Sequence, residues 1–156
     1  KDYEKTILFI FREANISDKL KGKELHPETD YNYFHMKKEW ENHLRNKIES
    51  KYTKFISYWL KKLNLDNCNI AYMNLNKRGG FDLTNFAHLK HYVAKYRCYI
   101  LKEIEIINPY IIVCGGKRGT LNNLHLKHEK IINDYHPASS RHNSDINDQL
   151  RMLELQ

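Results

Sequence analysis

Thr6-Ile-Leu-Phe-Ile-Phe11 decides the fold. After Thr6 the run has no polar position and is rich in β-branched and aromatic side chains. It suits a strand buried on both faces, the kind found in parallel sheets covered by helices on either side. Three further segments share its character: Ile70-Ala-Tyr-Met73, Tyr110-Ile-Ile-Val-Cys114 and, more weakly, Ile131-Ile-Asn-Asp-Tyr135. Between them the apolar positions recur every three or four residues. Phe86, Leu89, Val93, Tyr96, Ile100, Ile104 and Ile107 form a stripe of about six helical turns that stops at Asn108-Pro109. Trp40, Leu44, Ile48, Tyr52, Phe55, Trp59 and Leu63 repeat the spacing, as one long helix or as two divided near Ser50. Both stripes read as core. Strands alternating with helices predict an α/β fold, a three-layer α/β/α sandwich around a central four-stranded parallel sheet, with residues 1–156 as a single domain. Residues 17–36, polar and rich in Lys, Tyr and His, suit a lid or substrate-facing loop.

Composition agrees with one soluble domain. Of the 156 residues 41% are apolar, with 11 Tyr, six Phe and two Trp to fill a core, which excludes disorder as a description of the whole chain. No apolar run nears the roughly 20 residues of a membrane-spanning helix, so no membrane partner is expected. Cys68, Cys98 and Cys114 are odd in number and widely spaced, and no signal-peptide pattern precedes them. A reducing, intracellular compartment, the cytoplasm, is the expectation. Lys and Arg number 26 against 19 Asp and Glu, a formal surplus of +7 that favours an acidic partner.

Open parallel sheets bind their ligands outside the carboxyl ends of the strands. Arg12-Glu13-Ala14-Asn15 follows the first predicted strand and Asn74-Leu-Asn76-Lys77-Arg78-Gly79-Gly80 the second. Gly115-Gly116-Lys117-Arg118-Gly119 follows the third, and His136-Pro137-Ala138-Ser139-Ser140-Arg141 the fourth. Lys77-Arg78 and Lys117-Arg118 each stand beside glycines that permit close backbone approach, which suits phosphates, and Arg12 and Arg141 extend the same face. An Asn at a strand end offers both a donor and an acceptor, as reading the edge of a base requires. A polyanion with readable bases is the natural ligand, and all four ends are expected to face one cleft.

From Ile7 to Arg141 the order of these segments resembles the uracil-DNA glycosylase superfamily, most closely its iron–sulfur-containing members. Their first motif, Gly-Glu-Ala-Pro-Gly after an apolar strand, corresponds to Arg12-Glu13-Ala14-Asn15-Ile16. Their second strand ends in an Asn followed closely by a Lys, here Asn74 and Lys77. A Cys-containing helix then runs to a Pro before the third strand and its Gly, here Cys98 through Pro109 to Gly115, and the last motif, His-Pro followed by small residues, is His136-Pro137-Ala138-Ser139. The resemblance implies a DNA glycosylase that hydrolyses the bond to uracil or another altered base flipped out of the stack. It implies that His136 donates a hydrogen bond to O2 of the departing base, that Asn74 reads the base edge, and that Glu13, or alternatively Asn15, holds the attacking water. Ser139, Ser140 and Arg141 would lie on the loop that presses into the duplex. Tyr31, Tyr33 and Phe34 are the candidates for an aromatic cover over the base.

Only Cys98 falls where that branch has a cluster ligand, so neither a cluster nor any other cofactor is expected. The Pro and both Gly of the first motif are replaced by Asn15, Arg12 and Ile16, which leaves a catalytically inactive nucleic-acid-binding module of the same fold as the alternative. A hydrolase of free nucleosides is a further alternative, disfavoured because a small neutral substrate needs no phosphate-binding face. His88-x-x-His91 and His125-x-x-His128 have helical spacing without a Cys or carboxylate at a recognisable interval, and read as surface histidines rather than metal ligands. Gly115-Gly-Lys-Arg-Gly-Thr120 lacks the ending of a nucleotide-hydrolase phosphate loop. Ser139-Ser140 has no positioned acid that would make a triad with His136.

Overall fold

The computed structural model describes residues 5–15, 51–65, 67–80, 86–116, 121, 124–135, 137 and 150–151. The 17–36 loop and the Trp40, Leu44 and Ile48 part of the earlier stripe lie outside them, so the choice between one long helix and two is not addressed. Strand β1 spans Thr6–Asn15, helix α1 Lys51–Leu63 and β2 Asn69–Gly80. Helices α2 (Phe86–Lys95) and α3 (Arg97–Ile107) follow, then β3 (Ile111–Gly115) and β4 (Ile131–Asp134). The four strands form one sheet in the order β2-β1-β3-β4, and every neighbouring pair is parallel.

Strand alternation sorts the core into two layers. Leu8 and Ile10 of β1, Met73 and Leu75 of β2, and Ile112 and Cys114 of β3 pack with Leu89 and Val93 of α2 and Ile100 and Ile104 of α3. On the opposite face Ile7, Phe9 and Phe11, with Ile111, Val113 and Ile132, pack against Trp59, Tyr52 and Phe55 of α1. Helices therefore cover both faces, as the continuous apolar runs require. The topology supplies the reason. The β1-to-β2 connection moves one way along the sheet and the β2-to-β3 connection moves back across β1, so crossovers of one hand deliver their helices to opposite faces. Among the described residues no helix is long and apolar enough to cross a membrane.

The α1 layer is a chain of edge-on aromatic contacts. Phe11 meets Tyr52 with ring centroids 4.9 Å apart and an interplanar angle of 85°, and Phe55 stands between Phe9, Phe11 and Trp59 at 5.9 to 6.4 Å. The chain ends in a polar contact: the Trp59 indole N–H donates to Asp134 Oδ2 at 3.0 Å, while Asp134 Oδ1 accepts from the Tyr135 backbone N–H at 2.7 Å. Both oxygens of this buried carboxylate are thereby satisfied, which is what permits it in an apolar layer.

The stripe expected to form one helix is divided at Tyr96, which has φ −106° and ψ 17°, outside the helical region. Tyr96 still donates to Tyr92 O at 2.9 Å and accepts from Ile100 N at 3.1 Å, so the chain bends without losing its ladder. The three-or-four spacing runs straight through the joint and so conceals it. Arg97 Nε donates to Leu124 O at 2.8 Å and ties the start of α3 to the segment before β4. The Asn108-Pro109 stop signal is where the helix ends: Asn108 adopts φ 46°, ψ 60°, and its N–H closes the last turn on Glu105 O and Ile104 O.

Trp59→Phe keeps an aromatic ring and removes the N–H that donates to Asp134 Oδ2. A lost hydrogen bond to a buried carboxylate costs about 1.5–3 kcal/mol, or roughly 4–10 °C in melting temperature for a chain this size. Thermal unfolding checks it, and an unchanged melting temperature would show that the bond adds nothing to stability.

Candidate functional site

Beyond Ile10 and Cys114 strands β1 and β3 stop pairing, whereas β1 and β2 remain paired as far as Asn15 and Gly80. The direction of the connections reverses between β1 and β3, which makes the carboxyl edge there the place where an open parallel sheet has its ligand crevice. Its floor is apolar. A Cβ built on Gly115 would lie 2.7 Å from Phe11 Cδ1 and Cε1 and 3.4 Å from Pro137 Cδ, so the Phe11 ring and Pro137 both seat on the bare Gly115 backbone. Asn74 is the registered partner of Phe11, and Asp134 that of Gly115. Partners in a parallel ladder share a face, so half-buried Asn74 stands on the α1 side beside Phe11, while Met73 and Leu75 point into the other core.

The polar segments expected to follow the first two strands are instead part of them. Arg12, Glu13 and Asn15 lie within β1, and Asn74, Lys77 and Arg78 within β2. Residue types with little strand preference are carried there by their partner strand. The register shifts once: Glu13 pairs with Asn76, but Ala14 pairs with Gly79, leaving Lys77 and Arg78 as extra residues of a bulge.

Alternation separates Arg12 from Asn74. Arg12 continues the Leu8 and Ile10 side, facing α2 and α3, and so stands on the opposite face of the sheet from Asn74. Its guanidinium carbon sits 4.6 Å from the ring centroid of Phe86, and its Nε is shut off from solvent. Phe86, read from the sequence as the first core residue of its stripe, is instead 56% exposed and serves as a ring beneath the Arg12 cation. Cys114 lies next to this pair. Burial pushes its thiol up to about 12, against the opposing pull of the Arg12 charge, and its Sγ lies 3.8 Å from Gly116 O.

Lys117, Arg118, His136, Ser139, Ser140 and Arg141 are outside the described residues, as are Tyr31, Tyr33 and Phe34; for Glu13, Asn15, Lys77 and Arg78 the backbone alone is described. Of the histidine pairs, His88 and His91 are exposed on α2. His128 is not a surface histidine: Nδ1 accepts from Lys130 N–H at 3.1 Å, which leaves Nε2–H to donate to Pro109 O at 2.9 Å. Among the described residues no group of three His, Cys, Asp or Glu side chains could hold a metal ion. Cys98 is exposed on α3.

Sequence reasoning missed the Trp59–Asp134 contact and the ring under Arg12. Asp134 carried a readable signal, a carboxylate placed at the end of an apolar strand, but its partner is 75 residues away in the chain. Compared with known proteins, the chain matches no family model, and no curated protein or solved structure is significantly similar to it.

Gly115→Ala should cost about 1–3 kcal/mol in urea unfolding, because Phe11 must leave its seat. Adding Phe11→Leu should recover part of that loss, a coupling between touching residues that independent sites would not give. Thiol labelling tests the burial of Cys114 separately. With its acidity near 12, only about one Cys114 in ten thousand is thiolate at pH 8. Iodoacetamide on the native protein should label Cys98 and spare Cys114 until denaturant is added, as peptide mass spectrometry would read.

Proposed function

We propose that the chain is a DNA glycosylase of the uracil-DNA glycosylase type, hydrolysing the N-glycosidic bond of uracil or another altered base extruded into the crevice. One observation carries the reading: Asn74 is registered with Phe11, and both the Phe11 ring and Pro137 seat on Gly115. The segments resembling the family's second, third and last motifs thus meet at one level of the sheet, beside the strand that carries the first. Their order in the sequence does not by itself require this.

In this reading Asn74 hydrogen-bonds the edge of the extruded base. As the bond to C1′ breaks, its electron pair leaves with the base, and His136 donates to the O2 on which the charge develops. A water held by Glu13 or Asn15 adds to C1′ and releases a proton. Arg12, Lys77, Arg78, Lys117, Arg118 and Arg141 supply positive charge for the flanking phosphates, with Ser139 and Ser140 beside them on the last loop. Arg12 acts from the opposite face of the sheet to Asn74, on a ring that limits its freedom.

The binding-module reading retains one specific observation in its favour. β1 continues as paired strand through Asn15, where the family's first motif makes a turn that cradles the base.

The test uses oligonucleotides with a single uracil, hypoxanthine or modified cytosine, single-stranded and paired, scored for alkali-labile abasic sites. Cleavage is expected with at least one substrate. His136→Ala should lower the rate by about 10²–10³, the usual effect of removing one preorganised donor to a developing charge. Asn74→Ala should fall with it. Salt-sensitive binding with no abasic product from any substrate would overturn the glycosylase in favour of the module.

A further inference from the structure

We propose that the opposite rim of the sheet, at the amino ends of β1, β3 and β4, is a phosphate-binding site formed by Lys5, Tyr110 and Lys130. Each of these residues immediately precedes the first residue of its strand, and the three strands are neighbours in the sheet. The site lies at the other end of the strands from the crevice, about 16 Å away along the five residues of β3.

Two cations converge there on one phenol. Lys130 Nζ donates to the Tyr110 hydroxyl at 2.9 Å and lies 4.2 Å from the centroid of its ring. Lys5 Nζ lies 4.4 Å from the same centroid. Either ammonium alone would gain from the ring. Together they stand within about a Debye length of each other and repel. Among the described residues no carboxylate is paired with Lys5 or Lys130, whereas Lys102 on α3 is paired with Glu105. Tyr110 is 37% exposed, so an incoming anion can reach the hydroxyl. Two ammoniums around one accessible donor are an arrangement that a dianion relieves, because a phosphate can accept from both ammoniums and the phenol at once.

The backbone holds the three residues in place before any ligand arrives. Lys5 O accepts from Asn69 N at 2.9 Å, Tyr110 N donates to Thr6 O at 2.8 Å, and Lys130 O accepts from Ile112 N at 2.9 Å. His128 completes the frame by bonding Lys130 N–H and Pro109 O, which joins the residue before Tyr110 to Lys130 itself. Little backbone ordering remains to oppose binding. The hydrogen bond from Lys130 also draws the Tyr110 hydroxyl below the usual tyrosine range, against the opposing effect of burial and with help from the Lys130 and Lys5 charges. The two ammoniums thus already favour negative charge beside them.

The site does not depend on the crevice or on its proposed activity. The probe is inorganic phosphate, titrated into the full chain at constant ionic strength with chloride as the balancing ion, and followed by backbone amide resonances. Saturable shifts confined to residues near 5, 110 and 130 are expected. Lys5→Met and Lys130→Met should each weaken binding about tenfold, the size of one lost charge-assisted hydrogen bond, while Lys130→Arg should preserve it. Dispersed spectra identify variants that remain folded. A second arm uses a short oligothymidylate: competition with phosphate for the same resonances makes a nucleic-acid backbone the source of the phosphate, and saturation by inorganic phosphate alone makes it a small phosphorylated compound. Shifts that rise linearly without saturating, or that persist unchanged when both lysines are Met, overturn the site.

Discussion

Asp134 is the one charged side chain buried among the described residues, and it sets a constraint that several elements must meet together. A carboxylate removed from water needs a hydrogen-bond donor for each oxygen, or the layer around it loses several kcal/mol. One donor comes from Trp59 on α1 and the other from the backbone of Tyr135, the first residue past β4. The first fixes how α1 lies on the sheet. The second fixes the direction in which the chain leaves β4 towards Pro137. The helix layer and the last strand end are held by the same two oxygens, which explains why a polar residue is tolerated where an apolar one would pack with less risk.

Much of this was legible from the sequence, for a physical reason. Ile7 to Phe11 and Ile111 to Cys114 are buried on both sides, and only uninterrupted apolar runs satisfy that condition. The Asn108-Pro109 helix stop was equally open to reading, because the left-handed cap and the missing N–H are local chemistry. The rest depended on partners distant in the chain. Nothing in Asn74 to Gly80 has the pattern of a strand; those residues are extended because β1 lies beside them. The break at Tyr96 falls between apolar residues whose spacing does not register it. His128 read as a surface histidine, yet both its ring nitrogens are on backbone groups of its own rim.

The candidate site was legible in its parts and not in its arrangement. Sequence order placed polar and basic residues after each apolar run, yet extending β1 by four residues turns that order into a question of sides. Arg12 and Asn74 fall on opposite faces because their positions are counted along paired strands. Phe86 changes role for a related reason: as the first residue of α2 it has passed the edge of the layer that Leu89 and Val93 fill. A stripe reports which side of a helix is apolar without reporting how far the sheet beneath it extends.

The contact between Phe11 and Gly115 reaches across the sheet. The ring fills the space where a side chain at residue 115 would stand, and its far side is braced by Tyr52 and Phe55 of α1. Close-packed groups move as a body. Whatever enters the crevice and presses on its floor therefore pushes against α1, the helix behind the ring on that face. The Phe11 ring is in this sense a piston rod, and α1, with Trp59 bolted to Asp134, is the fixed block against which it bears.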